Sequence, residues 1–260
     1  MSPLSLVREQ PFGSPFPSPL SPVLELSMRF DLLTIFPGYF ATPLSYGVLG
    51  KAIEKDLFRV GLHNLRDHSP DRRHQKVDDR PFGGGFGMVF MVEPIHRALQ
   101  TIAREGKSRT ILFSASGTPF TQQRSKELAL YDQLILICPR YEGVDERVKG
   151  YIDEELCIGD YVLTGGEPAA LIVMEAVCRH IPGVLGKEGS LQEESFETNL
   201  LDYPQYTQPR EYLGAEVPEV LLSGDHEKIR LWRREQSLLK TRRVRPDLWT
   251  ETLSDLEDET

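Results

Sequence analysis

Residues 133–147 read QLILICPRYEGVDER: an apolar run from Gln133 to Cys138, then a polar loop from Pro139 to Arg147. A short β-rich run closed by a proline reads as a strand. In open α/β sheets ligands sit outside the carboxyl ends of the strands, so a polar loop at this position is a candidate binding loop. Glu142 can grip ribose hydroxyls and Tyr141 offers an aromatic face. The competing reading is a charged surface loop.

On either side of this stretch, short β-rich runs alternate with helical ones. Strand candidates are 30–35, 59–65, 110–114, 133–138 and 155–158, and helical patterns lie around 49–55, 93–104, 121–130 and 167–180. This alternation predicts an α/β fold with a parallel sheet and crossover helices. The last helix stops at Ile181-Pro182-Gly183. Residues 28–185 therefore form the main domain, residues 186–199 a flexible linker, and residues 200–250 a small helical domain with a helix over 224–240 started by Asp225. Residues 1–27, rich in Pro, Ser and Leu, read as a disordered extension, and residues 251–260 as an acidic tail. Met28 offers an alternative start of translation; a plastid or secretory signal is the other reading of what precedes it.

The 260 residues suffice for one large domain and a small one. No apolar run approaches the roughly 20 residues of a membrane helix. Cys138, Cys157 and Cys178 lack paired spacing and sit in apolar stretches, which fits a reducing cytoplasmic compartment. His63, His68 and His74 lack the spacing of a zinc site, and no structural metal is expected. A net charge of −9 argues against nucleic acid. Its distribution argues the other way: residues 228–245 carry Lys228, Arg230, Arg233, Arg234, Lys240, Arg242, Arg243 and Arg245 against the single acid Glu235. A solvated amphipathic helix with Trp232 packed inward is the plainer account of this stripe.

Two further motifs stand out. Residues 80–88, RPFGGGFGM, form the densest glycine cluster; they match neither a P-loop nor a dinucleotide fingerprint, which leaves a ligand-facing loop or a tight turn. Residues 158–167, IGDYVLTGGE, mix small and apolar residues able to hold an adenine by main-chain hydrogen bonds. Following so soon after the 139–147 loop, they can form the second wall of one pocket, or be strand, turn and helix start alone.

Together these runs resemble the bacterial tRNA (guanine-N1)-methyltransferases that act at position 37, members of the SPOUT class. The resemblance extends from Met28 to about Leu248 and rests on TIFP (34–37), VDDRPFGGG (77–85), RYEGVDER (140–147), IGDYVLTGGE (158–167), IPGVLG (181–186), YPQY (203–206) and VLLSGDH (220–226). It implies a parallel sheet with a deep trefoil knot and a small helical C-terminal domain that grips tRNA, an obligate homodimer acting beside the anticodon in support of the reading frame, and no membrane or DNA partner. Three loops, 114–117, 139–143 and 158–166, would clasp S-adenosylmethionine through Ser114, Ala115, Pro139, Tyr141, Glu142, Ile158, Gly159, Asp160, Tyr161, Val162, Leu163, Gly165 and Gly166.

Guanine N1 carries a proton, so its methylation needs a base, and charge growing on O6 needs a cation. By position in the matching motifs the resemblance implies Glu194 as the base and Arg179 as the O6 stabiliser. The family has Asp at the first position; Asp202 is the next candidate and is otherwise placed against RNA, with Arg230, Arg233 and Arg234 on phosphates. Pro139 stands for a usual Gly, Ala115 and Ala169 for a frequent Pro, and Phe86 follows the triple glycine. The chemistry demands no metal, and the resemblance leaves room for Mg²⁺. Two rivals remain: a knotted enzyme of the same class that methylates a ribose 2′-hydroxyl, and a catalytically silent tRNA-binding protein.

Overall fold

The computed structural model describes residues 27–186 and 194–249. Residues 1–26 of the extension expected over 1–27, residues 187–193 of the linker and the acidic tail lie outside the described residues. In chain order the elements are β1 (Met28–Thr34), α1 (Gly47–Glu54), β2 (Phe58–Asn64), β3 (Asp78–Asp79), β4 (Val89–Phe90), α2 (Val92–Thr101), β5 (Ser108–Pro119), α3 (Gln122–Leu128), β6 (Gln133–Ile137), β7 (Glu154–Cys157) and α4 (Glu167–Cys178). They are followed by β8 (Glu211–Tyr212), β9 (Ala215–Glu216), α5 (Glu219–Leu222) and α6 (His226–Val244).

β1, β2, β5, β6 and β7 form one parallel sheet in the order β2-β1-β6-β5-β7. β6 lies at its centre and every residue of it is buried. This burial explains its continuous apolar sequence: Leu134 and Leu136 face the cluster formed with α1, α3 and α4, and Ile135 and Ile137 face the cluster formed with α2. The expected α/β class and all five strands are therefore present. β5 runs further than the sequence suggests, to Pro119, because its pairing with β7 breaks at Phe113 and resumes at Thr118, leaving residues 114–117 as a bulge. α2 stops at Thr101, short of the expected 104, because Ala103 and Glu105 are drawn into hydrogen bonds with Gln133. The C-terminal segment is helical as expected, with Asp225 capping α6 by accepting from the Lys228 amide, but it also carries the β8–β9 pair.

All three cysteines are free and buried. Burial pushes the Cys178 thiol up to about 12. Among the described residues no helix is long and apolar enough to cross a membrane.

One polar cluster penetrates the α2 face. Asp31, fully buried, accepts from Gln133 Nε2 at 2.7 Å and Arg29 Nη2 at 2.8 Å and lies 2.7 Å from His63 Nε2. A side chain at position 61 would collide with Asp31 Oδ1, which explains Gly61. Burial raises the Asp31 pKa, but the hydrogen bonds from His63, Arg29 and Gln133 outweigh it and hold the carboxyl below its usual range. Its contribution to stability is complete above the usual carboxylate pKa and is lost as pH falls through the depressed one. Asp31→Ala, which leaves buried Gln133 and the part-buried Arg29 and His63 without this acceptor, is expected to cost about 3 kcal/mol in urea denaturation at neutral pH, with a smaller difference from wild type in acid.

Candidate functional site

Three loops converge at the carboxyl end of the sheet. The 114–117 bulge packs so tightly on β7 that a Cβ at Gly117 would lie 2.6 Å from the Leu156 backbone. Gly166 donates to Pro139 O at 2.7 Å, and a Cβ on it would sit 2.7 Å from Cys138 Cα. Arg140 bridges to Gly165 in the same place. Glycine is required at 117 and 166 by this close approach of one backbone to another.

A buried carboxylate fixes the arrangement. Glu167, fully buried at the start of α4, accepts from Thr34 Oγ1 at 2.7 Å and from Arg140 Nε at 3.0 Å. Arg140 also donates to Thr164 O at 3.4 Å and lies over the Phe36 ring, 4.7 Å from its centroid. The end of β1, the loop after β6 and the start of α4 are thus pinned to one point.

Between the loops lies a cavity of about 450 Å³, within the roughly 300–1,000 Å³ of small-molecule sites. All of the residues assigned to the donor from the sequence line it except Asp160, which is exposed. Ser114 and Ala115 come from the bulge, Pro139, Tyr141 and Glu142 from the second loop, and Ile158, Gly159, Tyr161, Val162, Leu163, Gly165 and Gly166 from the third. The lining also includes residues that the sequence did not single out: Leu112, Phe113 and Leu156 form an apolar floor, and Glu146, Lys149 and Glu155 a charged rim. Lys149 Nζ lies 2.8 Å from Glu146 and 3.0 Å from Glu155. Burial raises the Glu155 pKa, but Lys149 and the hydroxyls of Ser114 and Ser116 outweigh it and keep the carboxyl ionised below its usual range. With Arg140 occupied by Glu167, acids outnumber bases around the cavity, which favours a ligand bearing positive charge. The alternation of Glu154 and Glu155 at the start of β7 is the one signal in the sequence for this rim: Glu154 turns to Arg109 and Arg124, and Glu155 to the cavity.

A second cleft, about 460 Å³, is lined by Gln122, Arg179, Glu194, Ser195, Phe196 and Asp202. Arg179 Nη2 pairs with both oxygens of Glu194, and both side chains are a little over one-third exposed. The segment that carries Glu194 is folded on itself, since Asp202 N donates to Ser195 Oγ at 2.9 Å and Phe196 N to Leu200 O at 2.8 Å. It is latched to α3 by Glu197, which accepts from Gln122 Nε2 at 2.9 Å and pairs with Lys126 Nζ at 2.6 Å. Sequence reasoning missed this latch. Asp202 Oδ1 is buried without a hydrogen-bond partner. Among the described residues no three His, Cys, Asp or Glu side chains gather where they could hold a metal ion, so no residues are assigned to Mg²⁺.

On α6, Arg230 and Arg234 are exposed, Arg230 in an ion pair with Glu227 at 2.6 Å. Arg233 lies over the Tyr203 ring at 4.6 Å and is part-buried.

A family model described as tRNA (Guanine-1)-methyltransferase TrmD matches residues 28–251. The chain is similar to proteins named tRNA (guanine-N(1)-)-methyltransferase. That from Dictyoglomus turgidum is 51% identical over 231 residues, 89% of this chain and 94% of the relative. Those from Geobacter sulfurreducens and Carboxydothermus hydrogenoformans are 50% and 53% identical over 223 and 222 residues, 85% of this chain and 91% and 87% of the relatives.

Burial raises the Glu197 pKa, but Lys126 and Gln122 outweigh it and hold the carboxyl low, so the latch is complete at neutral pH and fails as pH falls through that depressed value. Glu197→Ala is expected to loosen the 194–202 segment by about 1–2 kcal/mol. Faster amide exchange at Leu201 and Asp202, with β6 unaffected, is the measurement that checks it.

Proposed function

The chain belongs to the tRNA (guanine-1)-methyltransferase family and methylates a tRNA guanine at N1; from that premise we propose that the target is guanosine 37, the methyl donor S-adenosylmethionine and the working unit a homodimer. One observation carries the reading of the chemistry: a carboxylate and a guanidinium stand side by side in an open cleft. Guanine presents N1–H next to O6, a donor beside an acceptor, and adenine presents the reverse. A guanine edge entering between Glu194 and Arg179 exchanges their ion pair for two charge-assisted hydrogen bonds, N1–H to Glu194 and Arg179 to O6. Glu194 then takes the N1 proton as the new bond forms, and Arg179 holds the charge that grows on O6.

The first cavity suits the donor. Its apolar floor matches an adenine, Glu142 the ribose hydroxyls and the excess of acids a sulfonium. When bound, S-adenosylmethionine supplies an electrophilic methyl group on a good leaving group. Pro139 offers no N–H, and its carbonyl is already taken by Gly166, so the loop contributes walls rather than a hydrogen bond there. The interlocked glycines at 117, 165 and 166 support reading the three loops as a deep trefoil knot, one of the exceptions to unthreaded connections.

The length of α4 supports a second copy. Gly166, in the first cavity, and Arg179, in the second cleft, cap the two ends of the 12-residue helix α4, which spans about 18 Å. Methyl transfer happens at van der Waals contact, which this span does not give within one chain, and the proposed dimer brings the donor of one subunit to the Arg179–Glu194 pair of another. The exposed apolar side chains of Val162, Leu163 and Ile172 near the first cavity and on α4 support an interface there. Arg230 and Arg234 then hold phosphates of the tRNA, with Arg233 anchoring Tyr203 beneath them.

Mass spectrometry of a tRNA transcript after reaction is expected to place one methyl group on the base at guanosine 37. A methylated ribose, or no product, would overturn the reading. Glu194→Gln and Arg179→Ala are each expected to lower single-turnover rates by about 10²–10³ with donor affinity retained. Mixed dimers of Glu194→Gln and Glu142→Ala subunits should regain activity that neither parent has.

A further inference from the structure

The loop at residues 80–88 has no part in either cavity, yet it is rooted on the wall of the first. β3 and β4 pair at its base. Beyond them Met91 N donates to Val77 O at 2.8 Å, Phe90 N to Gly143 O at 2.9 Å and Glu142 N to Met88 O at 3.0 Å. The edge of Phe90 meets Tyr141 at 5.4 Å, and Gly87 lies so close to Glu142 that a Cβ there would come within 2.6 Å of its Cγ. The base of the loop is therefore continuous with the Tyr141–Gly143 wall.

Its tip stands clear of the protein. A Cβ on Gly83 or Gly84 would meet nothing within 4 Å, so glycine serves there for backbone conformation, with φ of +86° and +82°. On either side of the triple glycine, Phe82 and Phe86 are fully exposed, at 101% and 98%. Two phenyl rings held in water on a hydrogen-bonded base are placed to receive a flat apolar partner.

We propose that Phe82 and Phe86 form a stacking platform for the unpaired bases that flank the target guanine. The inference rests on the reading of this chain as a tRNA guanine methyltransferase. Methylation at N1 uses the Watson–Crick edge, so the target base must leave its stack, and its neighbours lose a stacking face. Single-stranded RNA bases are commonly held on aromatic rings, and phenylalanine has no polar atom with which to discriminate among them. The platform therefore gives affinity and register without base specificity at the neighbouring positions. The connection of the loop to the donor cavity through Glu142 puts it at the wall of the proposed donor site.

The test measures binding of a full-length tRNA transcript to the intact protein, alongside S-adenosylhomocysteine binding and sedimentation. Phe86→Ala and Phe82→Ala are each expected to weaken tRNA binding about tenfold, with S-adenosylhomocysteine affinity and sedimentation unchanged. Phe86→Trp is expected to restore binding, with its emission quenched by tRNA, and Phe86→Leu is not. Unchanged tRNA affinity in both alanine variants would overturn the proposal. So would rescue by leucine equal to that by tryptophan, or a shift of the alanine variants to a smaller species, either of which assigns the rings to an apolar contact with a second copy. Failure of the wild type to bind or methylate tRNA would overturn the underlying functional reading instead, and is seen separately.

Discussion

The Glu167 carboxylate has no access to water, and a charge in that position is tolerated only where partners surround it. Thr34 and Arg140 supply those partners from two other parts of the chain, 133 and 27 residues away. Because Arg140 begins the turn into Tyr141 and Glu142, satisfying Glu167 also decides where those two side chains stand. The first cavity is the space left when three segments are drawn to one buried charge.

Close backbone approach is the second constraint. Gly117 against Leu156 and Gly166 against Cys138 leave no room for a side chain, so the loops meet main chain to main chain. Recognition built this way depends little on side-chain identity at the neighbouring positions. It is consistent with Ala115 and Pro139 standing where the resemblance leads one to expect Pro and Gly: both line the cavity with the surrounding architecture intact.

Much of this was legible before the structure. Each of the five sheet strands falls on a short β-rich run, and the central one is continuously apolar because both its faces are covered. The polar loop after it marks the end of the sheet at which the first cavity opens. What the residues could not reveal were associations across long intervals. Nothing near Glu167 in the sequence announces Thr34. Glu197 reads as one more linker acid until α3 brings Gln122 and Lys126 beneath it. β3, β4, β8 and β9 have two residues each, too few for a period to show. Arg179 and Glu194 were assigned by resemblance alone, and it is the fold that brings them into contact. Asp160, in the middle of a loop most of whose residues line the cavity, turns out to solvent because only part of such a loop can face inward.

The position of β6 has a consequence for how the molecule is made. It lies between β1 and β5, both of which precede it in the chain. A chain that ends at residue 132 holds two separate parts of the sheet, the β1–β2 pair and the single strand β5, with nothing to join them. During synthesis the open edges of both parts must stay apart, and from other strands, until Gln133–Ile137 leaves the ribosome and slots between them. The sheet thus becomes continuous only once five residues near the middle of the polypeptide are in place.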